Sequence, residues 1–378
     1  MTVYFDNAAT TMVCSEAIAA VTSAMRENFG NPSSMHHMGR QAAQILASAR
    51  QDIADVISAD PANIFFTSGG TESNNWAVLG LADIKPRKGK HIITSSIEHD
   101  AVLKPIKKLE NMGFEVTYLT PDSTGRITSE AFADALREDT SFCSVMLINN
   151  ETGAINPIAE YAAEIKRRGF KTLLHTDAVQ GFCKIPISIK KLGADLISVS
   201  AHKIHGPKGA GALYIRPGIT LPQTLFGGEQ ENGKRPGTEA LPAISGFGRA
   251  ARLAKTELEL TLAAVIRLRE HAVSRLKSSI PEAIIIGEDG SPFILSLSLP
   301  GHKSEVLMSF LDAQGICVSK SSACKKGARS KTLEAMKLKN DVIDGAIRVS
   351  FSKFNTLDEV DYLVDNLKQA SESLFKSF

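Results

Sequence analysis

The segment Ser200-Ala201-His202-Lys203 closes an apolar run, Asp195-Leu196-Ile197-Ser198-Val199, and leads into Ile204-His205-Gly206-Pro207-Lys208-Gly209. The apolar run reads as a buried parallel strand and the glycine-rich stretch as a tight turn. A lysine at such a strand end is rooted yet reachable. Its amine forms a Schiff base with a carbonyl compound when desolvation or a nearby charge keeps part of it unprotonated. A lone lysine is ordinarily a solvated surface charge, so the case for Lys203 rests on what other strand ends deliver.

Three other strand ends deliver complementary groups, and a fourth adds a histidine. Asn63-Ile64-Phe65-Phe66-Thr67 runs into Ser68-Gly69-Gly70-Thr71-Glu72-Ser73, and a helix is predicted over Asn74 to Leu81. Strand, glycine turn and helix N-terminus make an anion site in which Gly70 and Thr71 face a phosphate. The segment is neither a P-loop nor a G-x-G-x-x-G fingerprint, which argues against a nucleotide. Thr172-Leu173-Leu174-His175-Thr176-Asp177 ends in an aspartate suited to hold a pyridinium nitrogen protonated, and Gln180 follows as a donor for a ring oxygen. Ser144-Val145-Met146-Leu147-Ile148 ends in Asn149-Asn150, one of which is placed to reach the same ring. His99, after the strand at Ile92 and Ile93, is placed to stack on a ring or move protons. Amine, phosphate cradle and pyridinium partner are what pyridoxal phosphate requires.

Cys324 adds a second kind of chemistry. It sits in Val318-Ser319-Lys320-Ser321-Ser322-Ala323-Cys324-Lys325-Lys326-Gly327-Ala328-Arg329-Ser330-Lys331, a small, polar and basic stretch that reads as an exposed loop. Clustered Lys and Arg favour the thiolate, which is the attacking form of cysteine. The five cysteines (Cys14, Cys143, Cys183, Cys317 and Cys324) include no C-x-x-C pair, which points to a reducing compartment and away from a disulfide framework or zinc site. Cys143 and Cys317 lie in or beside apolar strands and read as core or near-core residues. His36-His37 has no third ligand at a sensible spacing, so no resident metal is expected.

The elements that position these groups follow an alternating strand and helix pattern from about Asn63 to Ile215. That pattern calls for an α/β fold, a mostly parallel sheet with helices on both faces and ligands at the carboxyl ends of its strands. From Gly246 a long helix is predicted through Leu276, then short strands at Ala283 to Ile286 and Phe293 to Leu299. Helices over Ser304 to Gln314 and Leu357 to about Phe375 complete a smaller α+β unit. A chain of 378 residues, 43% hydrophobic and with net charge +2, is large enough for two cores and carries no strong global field for nucleic acid. Met1 to Thr11 lacks a basic n-region and an apolar h-region, and no apolar run approaches a membrane span, so a cytoplasmic protein is expected.

Across nearly its whole length the chain resembles the fold-type I pyridoxal phosphate enzymes of the class V aminotransferase group, and within them the NifS/IscS-like cysteine desulfurases. The resemblance is carried by Tyr4-Phe5-Asp6-Asn7-Ala8-Ala9-Thr10-Thr11, Gly30-Asn31-Pro32-Ser33, Thr67-Ser68-Gly69-Gly70-Thr71-Glu72-Ser73-Asn74-Asn75 and Ile97-Glu98-His99. It continues through Asn149-Asn150-Glu151-Thr152-Gly153, Asp177-Ala178-Val179-Gln180, His202-Lys203, Arg235-Pro236-Gly237-Thr238 and Ser322-Ala323-Cys324. It implies a large cofactor-binding domain over residues 16–250. Residues 1–15 with 251–378 would form a small domain carrying the cysteine loop at about 318–331.

It further implies a Schiff base on Lys203, a pyridinium contact from Asp177, ring-oxygen contacts from Gln180 and Asn150, and stacking by His99. The phosphate cradle becomes Gly70, Thr71, Ser200 and His202, with Thr238 supplied by the neighbouring subunit of a homodimer. Arg348 clamps the substrate carboxylate, for which a planar guanidinium is suited, and Asn31 and Asn150 complete the substrate site. Cys324 accepts sulfur from L-cysteine as a persulfide and hands it to an iron–sulfur scaffold or a tRNA-thiolating enzyme. In complex with such a scaffold, Cys324 would transiently ligate an iron–sulfur cluster. The chain departs from the family at Ser321 and Ala201, where glycine is common, and neither change removes a reacting group. A selenocysteine lyase or another class V aminotransferase is the alternative the resemblance leaves open.

Overall fold

The computed structural model describes residues 2–84, 89–320 and 329–376. A short strand β1 (Val3–Tyr4) is followed by the seven strands of the main sheet. These are β2 (Ile64–Thr67), β3 (His91–Ser95), β4 (Glu115–Leu119), β5 (Thr140–Ser144), β6 (Leu173–Asp177), β7 (Leu196–Ser200) and β8 (Gly211–Ile215). Their order is β2-β8-β7-β6-β5-β3-β4. Only β8 runs against its neighbours, so β2, β3, β5, β6 and β7 all end at one edge.

The main sheet is buried on both faces, which is why its strands read as continuous apolar runs. Alternate residues go to opposite cores: Phe66, Ile93, Cys143 and Ile197 to one, and Phe65, Ile92, Phe142 and Leu196 to the other. The first core is closed by helices Ser15–Arg26, His37–Ile57 and Leu241–Thr256, which pack on one another. In the second, Trp76 of helix Gly70–Asp83 packs edge-on against Phe65.

Two smaller sheets follow. Strands β9 (Ile284–Ile286), β10 (Ile294–Ser298), β12 (Ser319–Lys320) and β13 (Ala346–Ser350) pair antiparallel in the order β12-β13-β10-β9. The N-terminal β1 pairs in parallel with β11 (Ile316–Cys317), and Asp6 bridges to Ser350, tying the first residues to this end of the molecule.

Three expected elements differ. The helix after β2 begins at Gly70 rather than Asn74, since the polar residues of the turn already adopt helical geometry. The long helix expected from Gly246 to Leu276 is two, Leu241–Thr256 and Leu258–Ser279, broken at Glu257. The first packs on helices of the main sheet and the second on the terminal helix Leu357–Ser373, a change of partner that one straight helix does not make. The strand expected over Ser144 to Ile148 is β5, which ends at Ser144. Its backbone still donates from Val145 to His175 and from Leu147 to Asp177, so Asn149 and Asn150 reach the same edge.

Candidate active site

Five strand ends converge at that edge. From β2, the chain turns through Gly69 at φ 151°, a conformation essentially reserved for glycine, and enters helix Gly70–Asp83. The N–H groups of Gly70 and Thr71 belong to the first turn and have no intrahelical acceptor. The buried Ser200 hydroxyl, at the end of β7, has no partner among the described residues. A side chain on Gly70 would sit 2.8 Å from Val179 Cγ2 and 3.7 Å from Ser200 Cβ, so only glycine lets turn and strand approach this closely. Free N–H groups, an orphan hydroxyl and a dipole end fit a phosphate.

Asp177 closes β6 in a fully desolvated place. Its Oδ1 accepts from Val179 N at 2.9 Å and its Oδ2 from Asn74 Nδ2 at 2.6 Å. Burial raises the carboxyl, against those hydrogen bonds and the pull of His99 and Lys203. A carboxylate raised by burial gains from a cationic N–H partner, which fits a pyridinium. Asn74 is the residue that aims it.

Lys203 lies in a 3-10 turn directly after β7. Its Nζ donates to the carbonyls of Ala8, at 2.8 Å, and Ala9, at 2.6 Å, in the N-terminal segment. Burial and then the Arg348 guanidinium push its amine down to about 8, so a usable fraction is neutral near physiological pH. His202 shares its Nδ1 with the Thr10 hydroxyl at 3.2 Å, and burial with Lys203 and Lys208 holds its ring down to about 4, hence neutral. A cavity of about 40 Å³, room for a few waters, lies beside Lys203 and is also lined by Lys184, Thr11 and His205.

His99 caps helix Asp100–Asn111, accepting at Nδ1 from Ala101 N at 3.0 Å, and its ring is exposed. Of the paired asparagines, Asn149 is spent on the turn: Oδ1 accepts from the Glu151 and Thr152 N–H groups and Nδ2 donates to Ile97 O. Asn150 is left partly exposed, and its carbonyl accepts from Arg348 at 2.7 Å. Arg348 is 2% exposed, pairs with Asp6 at 2.8 Å and holds a buried Nε without a partner among the described residues. The guanidinium read as the substrate-carboxylate clamp thus has both terminal nitrogens engaged, and Asp6 is carried to it by the bridge to β13.

Other expected residues lie apart. Asn31 is exposed, and its Oδ1 accepts from Ser33 N within its own loop. Thr238 is exposed on a loop anchored by the Arg235 pair to Glu72. Cys324 lies outside the described residues, though both flanks of its loop border the site. Ser319 is opposite Arg348 in the β12 and β13 pairing. On the other flank, Ser330 and Thr332 donate to Glu151, next to Asn150. Burial pushes the Cys143 and Cys183 thiols up, so neither offers a competing thiolate.

The sequence reading missed Asn74, Lys184, Glu98 and the carbonyls of Ala8 and Ala9. Asn74 stands one helical turn after Gly70 and Lys184 four residues after Gln180, and that spacing was the available signal. Glu98 is buried beside His99, accepts from Ser95 Oγ at 2.5 Å and Met146 N at 2.9 Å, and is pushed up by burial to about 8.

The family model described as aminotransferase class-V matches residues 3–363. A cysteine desulfurase IscS of Methanosarcina thermophila is 41% identical over 376 residues, covering 98% of this chain and 92% of that protein. Among solved structures, a NifS-like protein superposes with a TM-score of 0.93 at 39% identity, covering 99% of this chain and 100% of that one. A structure of SspA in complex with cysteine superposes at 0.82 with 31% identity, covering 94% and 100%. A match of this extent, on a fold that gathers Lys203, Asp177 and Ser200 at one sheet edge with Arg348 of the second sheet beside Lys203, shows that the chain belongs to the pyridoxal phosphate-dependent class V aminotransferase family, among its cysteine desulfurases.

Proposed function

We propose that this chain converts L-cysteine to L-alanine and leaves the sulfur as a persulfide on Cys324. The observation that supports the assignment is the pairing of Ser319, five residues before Cys324, with Arg348, the residue read as holding the substrate carboxylate. Three residues separate Lys320 from Cys324, a length of chain that spans at most about 14 Å.

When bound, pyridoxal phosphate supplies an electron sink beside the substrate Cα. Gly70, Thr71, Ser200 and His202 would hold its phosphate, with Thr238 added from the second subunit of a homodimer. Asp177, aimed by Asn74, would hold its pyridinium, Gln180 and Asn150 would face its ring oxygen, and His99 would cover its ring. Arg348, with Asn31 and the Asn150 side chain, orients the substrate carboxylate. Lys203, freed from the Ala8 and Ala9 carbonyls, has the pKa to take and return the Cα proton. The Cys324 thiolate attacks the substrate sulfur. An S–S bond forms, the C–S bond breaks with its electron pair staying on carbon, and protonation of that carbon gives alanine.

The segment after Cys324 carries Lys325, Lys326, Arg329 and Lys331, a charge that suits an acidic acceptor surface. An iron–sulfur scaffold, with Cys324 as a transient cluster ligand, or a tRNA-thiolating enzyme would consume the persulfide, and the cytoplasm is the compartment that keeps it usable. Residues 16–250 would form the cofactor-binding domain, and 1–15 with 251–378 the domain that carries the loop. Incubation of the holoenzyme with L-cysteine and a thiol reductant tests the reading: alanine and sulfide should appear in equal amounts. A keto acid in place of alanine would support transamination instead, and turnover of L-selenocysteine alone would support a selenocysteine lyase.

A further inference from the structure

Gln180 is held from both ends. Its Nε2 donates to the Ala8 carbonyl at 2.8 Å, and its Oε1 accepts from Lys184 Nζ at 2.8 Å. Gln180 and Lys184 are 5% and 7% exposed. The oxygen and nitrogen of an amide are interchangeable in shape, so only partners fix which one faces which way. Here both partners agree: a carbonyl only accepts, and Nζ keeps N–H donors in either protonation state. The Ala8 carbonyl also receives Lys203, so the chain Lys184, Gln180, Ala8, Lys203 is continuous.

Lys184 has no carboxylate partner among the described residues. Its charged and titratable surroundings are Lys203, Arg348, Cys183, His202 and His205, with Glu257 and Lys353 lining the same cavity, and its ammonium lies 5.7 Å from the Phe293 ring. Burial, then Lys203 and Arg348, push it down to about 7. A buried lysine facing two cations costs stability, and the group it serves is the Gln180 amide.

We propose that Lys184 is a positioning residue that locks the Gln180 amide with its NH2 group toward Ala8 and Lys203, so that Gln180 presents a donor to the cofactor's ring oxygen. This rests on the reading of Gln180 as a ring-oxygen donor. A donor there stabilises the oxygen's anion and lowers the pH at which the bound chromophore loses its proton.

The test is a pH titration of the visible absorbance of the cofactor-loaded protein. Lys184→Met, close in length and without a donor, should move the midpoint up by roughly one unit, the worth of a hydrogen bond to a charged group. Gln180→Ala should move it at least as far, and the double variant no further than Gln180→Ala, because Lys184 acts through Gln180. A midpoint unmoved by Lys184→Met while Gln180→Ala shifts it overturns the lock. Additive shifts in the double variant overturn it too, by giving Lys184 an independent effect. A midpoint unmoved by Gln180→Ala overturns the underlying reading and the lock with it. Lys184→Leu, which also lacks a donor, takes the place of the methionine variant if that one does not fold.

Discussion

Ser319 stands directly opposite Arg348 in the antiparallel pairing of β12 with β13. The residue assigned to the substrate carboxylate and the strand from which the cysteine loop departs are therefore cross-strand neighbours. Arg348 and Ser319 share the four-stranded sheet, while Asp177 ends a strand of the main sheet and Lys203 directly follows one. The proposed active site is the seam between the two sheets, and Asp6 is paired to Arg348 at 2.8 Å and bridged to Ser350.

Burial and Arg348 lower the Lys203 amine to about 8 from the usual 10.5. Covalent capture of pyridoxal phosphate by the apoprotein, trapped by borohydride and located by peptide mapping, should accelerate about tenfold per pH unit below 8 and level off above it. Lys203→Ala should lose the adduct and about a thousandfold in turnover with the fold retained. An adduct on another lysine, or a midpoint near 10.5, would contradict the assignment.

Glu98 gives a stability signature of opposite kind to a salt-bridged carboxylate. Burial raises its carboxyl from 4.5 to about 8, so between those values the folded chain holds a proton that the unfolded chain has released. Stability from this group is complete below pH 4.5 and falls as pH rises toward 8. Glu98→Gln, close in shape to the protonated acid, should gain in Tm relative to the parent between pH 5 and pH 8. Parallel Tm curves in calorimetry would contradict a raised Glu98.

Asn74 donates to Asp177 at 2.6 Å. Asn74→Ala removes a hydrogen bond to a buried charge, so turnover should fall about tenfold or more with little change in fold. Rescue by Asn74→Gln is not expected, since the longer side chain does not fit a site that is 1% exposed. Parental kcat in Asn74→Ala would remove Asn74 from the machinery.

The placement of Lys203, Asp177 and Gly70 at one edge was legible because each ends or closely follows a buried strand, and strand ends follow from local apolar runs. Partnerships across distance were not legible. Arg348 meets Asp6 across 342 residues of chain, and Lys184 reads as one more surface lysine until the turn after β6 folds it under Gln180. The break at Glu257 was hidden for the same reason, since both helices are amphipathic and only their packing partners differ.

Phe29, Met35 and Phe226 are 70%, 92% and 89% exposed, and Phe226 precedes the loop bearing Thr238. The proposed homodimer would cover such side chains. Sedimentation should show a homodimer, and Phe226→Glu should weaken it and release cofactor. A monomer with full cofactor occupancy would contradict the role given to Thr238.

The central claim is that Cys324 takes the sulfur. Alanine release from L-cysteine, measured side by side for the parent and Cys324→Ser holoenzymes together with the visible spectrum of each, tests it most directly. A serine hydroxyl is far less acidic and a far poorer nucleophile toward sulfur than a thiolate. The variant should still change its spectrum on adding L-cysteine, because Lys203, Asp177, His99 and Arg348 are untouched, while alanine formation falls by about a hundredfold or more and no persulfide forms. Alanine released by Cys324→Ser at the parental rate would contradict the account.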